Sequence, residues 1–175
     1  MPNTGTSTGT NTNQIAPYIF GLADITWGGV KIPTLADKST LTIAPEYIDI
    51  NSYEMGGVVD KLAKSYKVTL EVVFQEETPE IISMCIPLNN GQDSAVGESL
   101  RAKAKELVIH PRKYGDDKSY DVTVFKAIST GSYERVYGLE QGQIKVTFEG
   151  LVRDNAEAGK PGNYFRIGEA PTVTT

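Results

Sequence analysis

The chain has 175 residues, 39% hydrophobic and 22% charged, which suffices for one packed domain and argues against wholesale disorder. Its 17 Lys and Arg stand against 22 Asp and Glu, a net charge of −5, which speaks against a sequence-blind nucleic-acid clamp with a strongly basic face. No run approaches the ~18 consecutive apolar residues of a spanning helix, so no membrane insertion is expected.

Residues 1–14 contain no charged or aromatic side chain and alternate Thr4, Thr6, Thr8, Thr10 and Thr12 with Gly, Asn and Ser. Such a segment has little apolar area to offset the entropy of ordering, so a flexible N-terminal arm is expected, gaining order only on assembly. Met1-Pro2-Asn3 lacks the basic region and apolar stretch of a secretory leader. From about residue 15 to 168 one domain is expected, followed by a small polar tail over 169–175.

Within the domain the dominant period is two. Tyr18 to Thr26 leads into Trp27-Gly28-Gly29 and then Val30-Lys31-Ile32, a hairpin signal because glycine tolerates the positive φ of tight turns. Ser39 to Ile43 reads as a strand that continues past Pro45 into Tyr47-Ile48-Asp49-Ile50. Residues 45–64 as a whole are expected to form a long inter-strand loop. Ser65 to Gln75 alternates: Tyr66, Val68, Leu70, Val72 and Phe74 on one face, Lys67, Thr69 and Glu71 on the other. Thr78-Pro79-Glu80 is a helix start, with a hydroxyl cap, proline at the first helical position and an acid at the positive helix end. Ile81, Cys85 and Leu88 then recur at helical spacing until Pro87 and Asn89-Asn90-Gly91 stop it at about two turns. Leu107 to Ile109 and Tyr120 to Ile128 are shorter strands. Gln143 to Arg153 alternates again, with Ile144, Val146, Phe148 and Val152 inward.

Catalysis finds no support in these residues. Gly5-Thr6-Ser7-Thr8-Gly9 fits a hydrolase nucleophile elbow as a string, but that motif needs a strand before it and a helix after it. His110 is the only histidine and is expected at a surface or rim, since triads and zinc sites want it with partners. Cys85, the only cysteine, sits on the apolar stripe of the short helix and reads as a small buried hydrophobe. Glu76-Glu77 and Asp116-Asp117 lack the ligand spacing of a calcium loop. No metal site and no cofactor are expected. Arg101, Lys103, Lys105, Arg112 and Lys113 form the remaining charge feature. At a spacing of two, the first three would share one face of a strand. A nucleic-acid groove would interleave aromatics, and only Tyr114 is near, so a complement to an acidic patch on a neighbouring copy is the better reading.

The stretch from Tyr18 to Glu77 resembles the tail tube proteins, or major tail proteins, of long-tailed bacteriophages. It has an opening hairpin from Phe20 to Ile32, a Thr-rich strand, and a long excursion from Glu46 to Lys61 carrying Gly56-Gly57-Val58-Val59-Asp60. The strand from Lys67 to Glu76 then leads into the Pro79 helix, and the late strand with Val146-Thr147-Phe148-Glu149-Gly150 is similar to the family's closing strand.

The resemblance implies a mainly β fold, a small sandwich or barrel with one flanking helix, assembled as hexameric rings stacked into a hollow tube. It implies a non-enzymatic virion protein, made in the host cytoplasm, through whose bore DNA passes without sequence-specific binding. The partners would be copies of the chain itself and other tail proteins (tape measure, terminator, baseplate or tip). The alternative is a monomeric β-sandwich that binds or decorates a virion or related injection machine. On the tube reading, the 45–64 loop meets an adjacent subunit through Tyr47, Ile50, Tyr53, Met55, Gly56, Gly57, Val58 and Val59. If the polar strand faces line the bore, Glu46, Lys67, Glu71, Asp121, Lys145, Glu149 and Arg153 are its wall.

Overall fold

The computed structural model describes residues 21–33, 38–74, 78–89, 91–94, 96–134 and 144–169. The expected N-terminal arm, the Gly5 to Gly9 string and residues 170–175 lie outside them.

Gly28 and Gly29 adopt positive φ angles of 59° and 79°, the pair of left-handed residues that a two-residue hairpin needs. They join β1 (Ala23–Trp27) to β2 (Val30–Ile32). Then come two long strands, β3 (Thr40–Ser52) and β4 (Gly57–Phe74). Helix α1 (Pro79–Cys85) starts as the sequence predicts, with Thr78 Oγ1 accepting from the Ile81 amide at 3.3 Å. It buries Ile81, Met84 and Cys85. Leu88, expected on that stripe, instead begins the short pair β5 (Leu88–Asn89) and β6 (Gln92–Asp93). β7 (Lys105–Pro111), β8 (Val122–Ser129), β9 (Ile144–Leu151) and β10 (Phe165–Ile167) complete the order.

The main sheet runs β2-β1-β7-β8-β9-β4-β3, with β10 paired to β8, and the pairings within it are antiparallel. β1 and β9 stand three strands apart, about 14 Å if the sheet were flat. Their Trp27 and Phe148 ring centroids are 5.4 Å apart, so the sheet curls around its core as an open barrel. A bulge helps it: Lys105 faces Ala127 while Leu107 faces Val124, two steps on β7 against three on β8. The extra residue lets Val124 and Ala127 both be buried. The Trp27 indole N–H reaches across to the Ala127 carbonyl at 3.0 Å.

The alternating faces behave as read over Val68–Phe74 and Ile144–Phe148, whereas Tyr66, expected inward, is exposed and Val152 lies past the end of β9. Val68, Leu70, Val72 and Phe74 on β4, and Ile144, Val146 and Phe148 on β9, are in the core. At Gly150 the backbone passes close to core side chains. A Cβ there would stand 2.9 Å from Val68 Cβ and 3.0 Å from Val124 Cγ1. Cys85 is fully buried, and its carbonyl accepts from the Ser129 hydroxyl at 2.7 Å, fixing α1 to the sheet.

Candidate assembly surface

Residues 45–64, expected as a loop, are strand for most of their length. β3 and β4 pair from Thr40↔Glu71 out to Ser52↔Gly57, so the segment is a β-hairpin arm. The turn is closed by the Gly56 amide donating to the Ser52 carbonyl at 3.1 Å and the Met55 amide to Ser52 Oγ at 3.3 Å. Two register shifts put the extra residues Lys64 and Val59 on β4, which twists the arm. The period-two signal fails here for a physical reason: an arm with neither face on the core has no need to alternate.

The arm carries exposed apolar side chains on both faces, interspersed with charged ones. The register places Tyr47, Ala63 and Val58 on one side and Ile48, Leu62 and Ile50 on the other. Tyr47, Ile48, Ile50, Val58, Val59 and Leu62 are all exposed, and at the tip Tyr53 is 106% and Met55 81% exposed. Gly56 belongs to the turn and Gly57 opens β4. Polar ties lie among them: Lys61 Nζ meets Asp49 Oδ1 at 2.6 Å at the cross-strand position between Tyr47 and Val58, and the Ser65 hydroxyl donates to Glu46. The arm is also open at its edges. β9 pairs with β4 only from Thr69 to Phe74, and among the described residues β3 pairs with β4 alone. A ribbon with bare edges and exposed apolar side chains on both faces is the kind of surface that single-chain proteins normally cover or blunt.

Of the predicted bore residues, the structure brings five to one face. Glu46, Lys67, Glu71, Lys145 and Glu149 share the side of the sheet opposite the core, by the register of β3, β4 and β9. Lys145 Nζ meets Glu71 Oε2 at 2.8 Å. Asp121 and Arg153 do not join them. Arg153 follows the end of β9, half-buried, with its guanidinium 5.5 Å from the Phe125 ring. Asp121 is buried just before β8.

Asp121 supplies the partner that the sequence did not reveal for His110. His110 Nδ1 lies 2.5 Å from Asp121 Oδ1, and Nε2 lies 2.7 Å from the Gly115 carbonyl. Both ring nitrogens therefore face acceptors, and only the doubly protonated ring donates to both. The Asp121 carboxylate raises the histidine pKa above its usual 6.5, against the opposing effect of burial. Asp24 sits opposite His110 in the register of β1 and β7. Ion pairs to Lys31 at 3.0 Å and Arg112 at 2.8 Å hold its carboxyl below the ordinary range, Lys31 contributing most. This cluster ties the 112–121 segment to β7. It offers no nucleophile beside the base, and no group of His, Cys, Asp or Glu able to hold a metal occurs among the described residues.

The basic cluster is corrected by the structure. Arg101 and Lys103 lie in a 3₁₀ turn (Leu100–Lys103), capped by the Ser99 hydroxyl, and share no strand face with Lys105. Arg101 bonds the Val152 carbonyl and Asp154, and Lys103 bonds Ser94 and Glu98. Lys105 covers the Trp27 ring at 4.7 Å. Tyr114 stacks on Tyr120 at 3.9 Å. These charges are largely engaged within the chain, leaving little for a groove or a neighbour's acidic patch.

No protein-family model matches the sequence, and no curated protein sequence matches it. Among solved structures, a chain of the PVC extracellular contractile injection system sheath–tube complex in its extended state is similar. Its TM-score is 0.50 at 15% identity, covering 83% of this chain and 94% of that one. A chain of the sheath/tube terminator of that system gives 0.49 at 14% identity, with coverages of 77% and 94%. The anti-feeding prophage cap, a tube-terminating cap, gives 0.47 at 12%, with 81% and 92%. At 15% identity the likeness to the sheath–tube chain is one of fold alone. No helix among the described residues is long and apolar enough to cross a membrane.

Proposed function

We propose that the protein is a non-enzymatic structural subunit of a phage tail or related injection machine, whose copies join as hexameric rings stacked into a hollow tube. The observation that carries this reading is the β3–β4 arm, a ribbon with exposed apolar side chains on both faces and both edges open. Covering it takes another chain, and head-to-tail contacts that close by rotation make a ring. The likeness in fold to a chain of a sheath–tube complex supports the same reading. On it, the face with Glu46, Lys67, Glu71, Lys145 and Glu149 turns to the bore, DNA passes without specific binding, and other tail proteins contact the tube ends.

The test is negative-stain microscopy and sedimentation of the full chain beside a variant carrying Ile48→Thr, Ile50→Thr and Leu62→Thr. These changes keep strand propensity but remove the apolar side chains of one face of the arm. The expected result is rings or tubes from the unmodified chain and a folded monomer from the variant, with the same thermal midpoint as the unassembled parent. A parent that stays monomeric in all conditions, or a variant that builds normal tubes, overturns the proposal.

A further inference from the structure

We infer that the tip of one copy's hairpin arm seats in a cleft at the base of another copy's arm. This rests on the self-assembly reading above and names the contact that carries it. Beyond Thr69, where β9 leaves β4, the chain from Gly159 to Phe165 runs beside the uncovered edge of β4. Between that chain and Ala63–Tyr66 lies a cleft of about 570 Å³. Its aromatic wall is a cluster in which Tyr66 lies 6.0 Å from Tyr164 and 5.5 Å from Phe165, ring centre to ring centre. Lys64 and Lys160 also line it. Lys160 is paired with Glu157 at 2.6 Å, whereas Lys64, the bulged residue, has no ion pair among the described residues.

The tip is chemically its counterpart. Tyr53 and Met55 project almost entirely into solvent, with Glu54 between them in the turn. Thioethers pack well against aromatic rings, a tyrosine buries its ring while its hydroxyl stays wet, and Glu54 matches the uncompensated Lys64 in charge. The cleft cannot be filled by the chain's own tip. Gly57 and Ala63 are five paired strand steps apart, roughly 17 Å, and the ribbon runs away from the cleft over that length. The occupant is therefore a second copy. A convex tip and a concave base at different places on one molecule make a heterologous contact, which propagates from copy to copy.

The test uses two full-length single variants, Glu54→Cys and Lys64→Cys, mixed, assembled and mildly oxidised, with cross-links mapped by mass spectrometry. Cys85 is fully buried and stays in place. The expected product is the 54–64 disulfide between copies, several-fold above 54–54 or 64–64. In parallel, Glu54→Lys should lose assembly, and the Glu54→Lys/Lys64→Glu swap should regain it. Tubes that form without the 54–64 link, and that tolerate Glu54→Lys, refute the contact while leaving self-assembly intact. Failure of the unmodified chain to assemble refutes both. A double Glu54→Cys/Lys64→Cys chain that cross-links within a dilute monomer shows the cleft taking its own tip, and also overturns the inference.

Discussion

The two halves of β4 belong to one strand yet obey different rules. From Thr69 to Glu71 it is paired on both edges, to β3 and β9, the β9 pairing continues to Phe74, and from Val68 inward every second side chain is in the core. From Gly57 to Tyr66 it is paired on one edge, carries two bulges, and leaves Val58, Val59 and Leu62 exposed. The inner half repays its ordering entropy through burial within the chain. The outer half is ordered by β3 and the turn, and its apolar area is unspent in the monomer. One half is therefore a folding element, and the other fits an assembly element.

The largest effect expected from this contrast is a stability gap along the same strand. Phe74 is fully buried, so Phe74→Ala removes its transfer energy and leaves a cavity, a loss of about 3–5 kcal/mol. Val58→Ala, on the exposed arm, should stay within about 0.5 kcal/mol. Urea unfolding of the unassembled chain measures both. A Val58→Ala loss comparable to that of Phe74→Ala would show the arm folded onto the body and would erase the distinction between the halves.

The inner half was legible in the sequence and the outer half much less so, for the same reason. Period-two reading detects a strand with one wet and one dry side, as at Val68 to Phe74 and Ile144 to Phe148. The arm has two similar sides, so although a strand was read into Tyr47-Ile48-Asp49-Ile50, Val58-Val59-Asp60 gives no such signal, and the segment as a whole reads as a loop. The Gly56-Gly57 pair was the available clue to a hairpin. Thr78-Pro79 marked α1 because capping chemistry is local. The β8 bulge, the Asp121 partner of His110 and the internal pairing of the basic cluster depend on residues far apart in sequence or on turn geometry, and nothing in the local pattern encodes them. The shared open face was partly legible: Lys67, Glu71, Lys145 and Glu149 follow from strand phase, whereas Asp121 and Arg153 sit just outside their strands, where phase no longer applies.

A smaller effect sharpens the comparison through the polar ties of body and arm. The His110–Asp121 contact is mostly shielded, while the Lys61–Asp49 pair on the arm is exposed. Because the folded histidine pKa is raised, its contribution is complete below the unfolded value of about 6.5 and is lost as pH rises through the folded value. Stability should therefore fall as pH rises from the unfolded value through the folded one. Asp121→Asn should flatten that slope, and Asp49→Asn should leave it unchanged. Denaturation midpoints across pH provide the measurement. A slope that survives Asp121→Asn would assign the titration to another group.

The smallest effect lies on the open face, where Lys145 and Glu71 meet with side chains 58% and 44% exposed. Solvent screening leaves such a pair roughly 0.2–1 kcal/mol, so a Glu71→Gln/Lys145→Gln double-mutant cycle should give a coupling in that range that shrinks with added salt. A coupling well above it would make the face part of the fold's support, like the inner half of β4. With the small value, the five charges on this face, two lysines and three glutamates, contribute little to folding and remain free to set what the face presents. If it lines a bore, a weakly acidic wall lets DNA slide, because it offers no dense positive charge to release counterions and hold the phosphates. Glu71→Lys with Glu149→Lys turns that wall basic. Tubes should still form while DNA delivery slows, most strongly at low salt. Unchanged delivery, or a defect confined to assembly, would place these charges away from the bore and return the face to the ordinary solvated outside of a barrel.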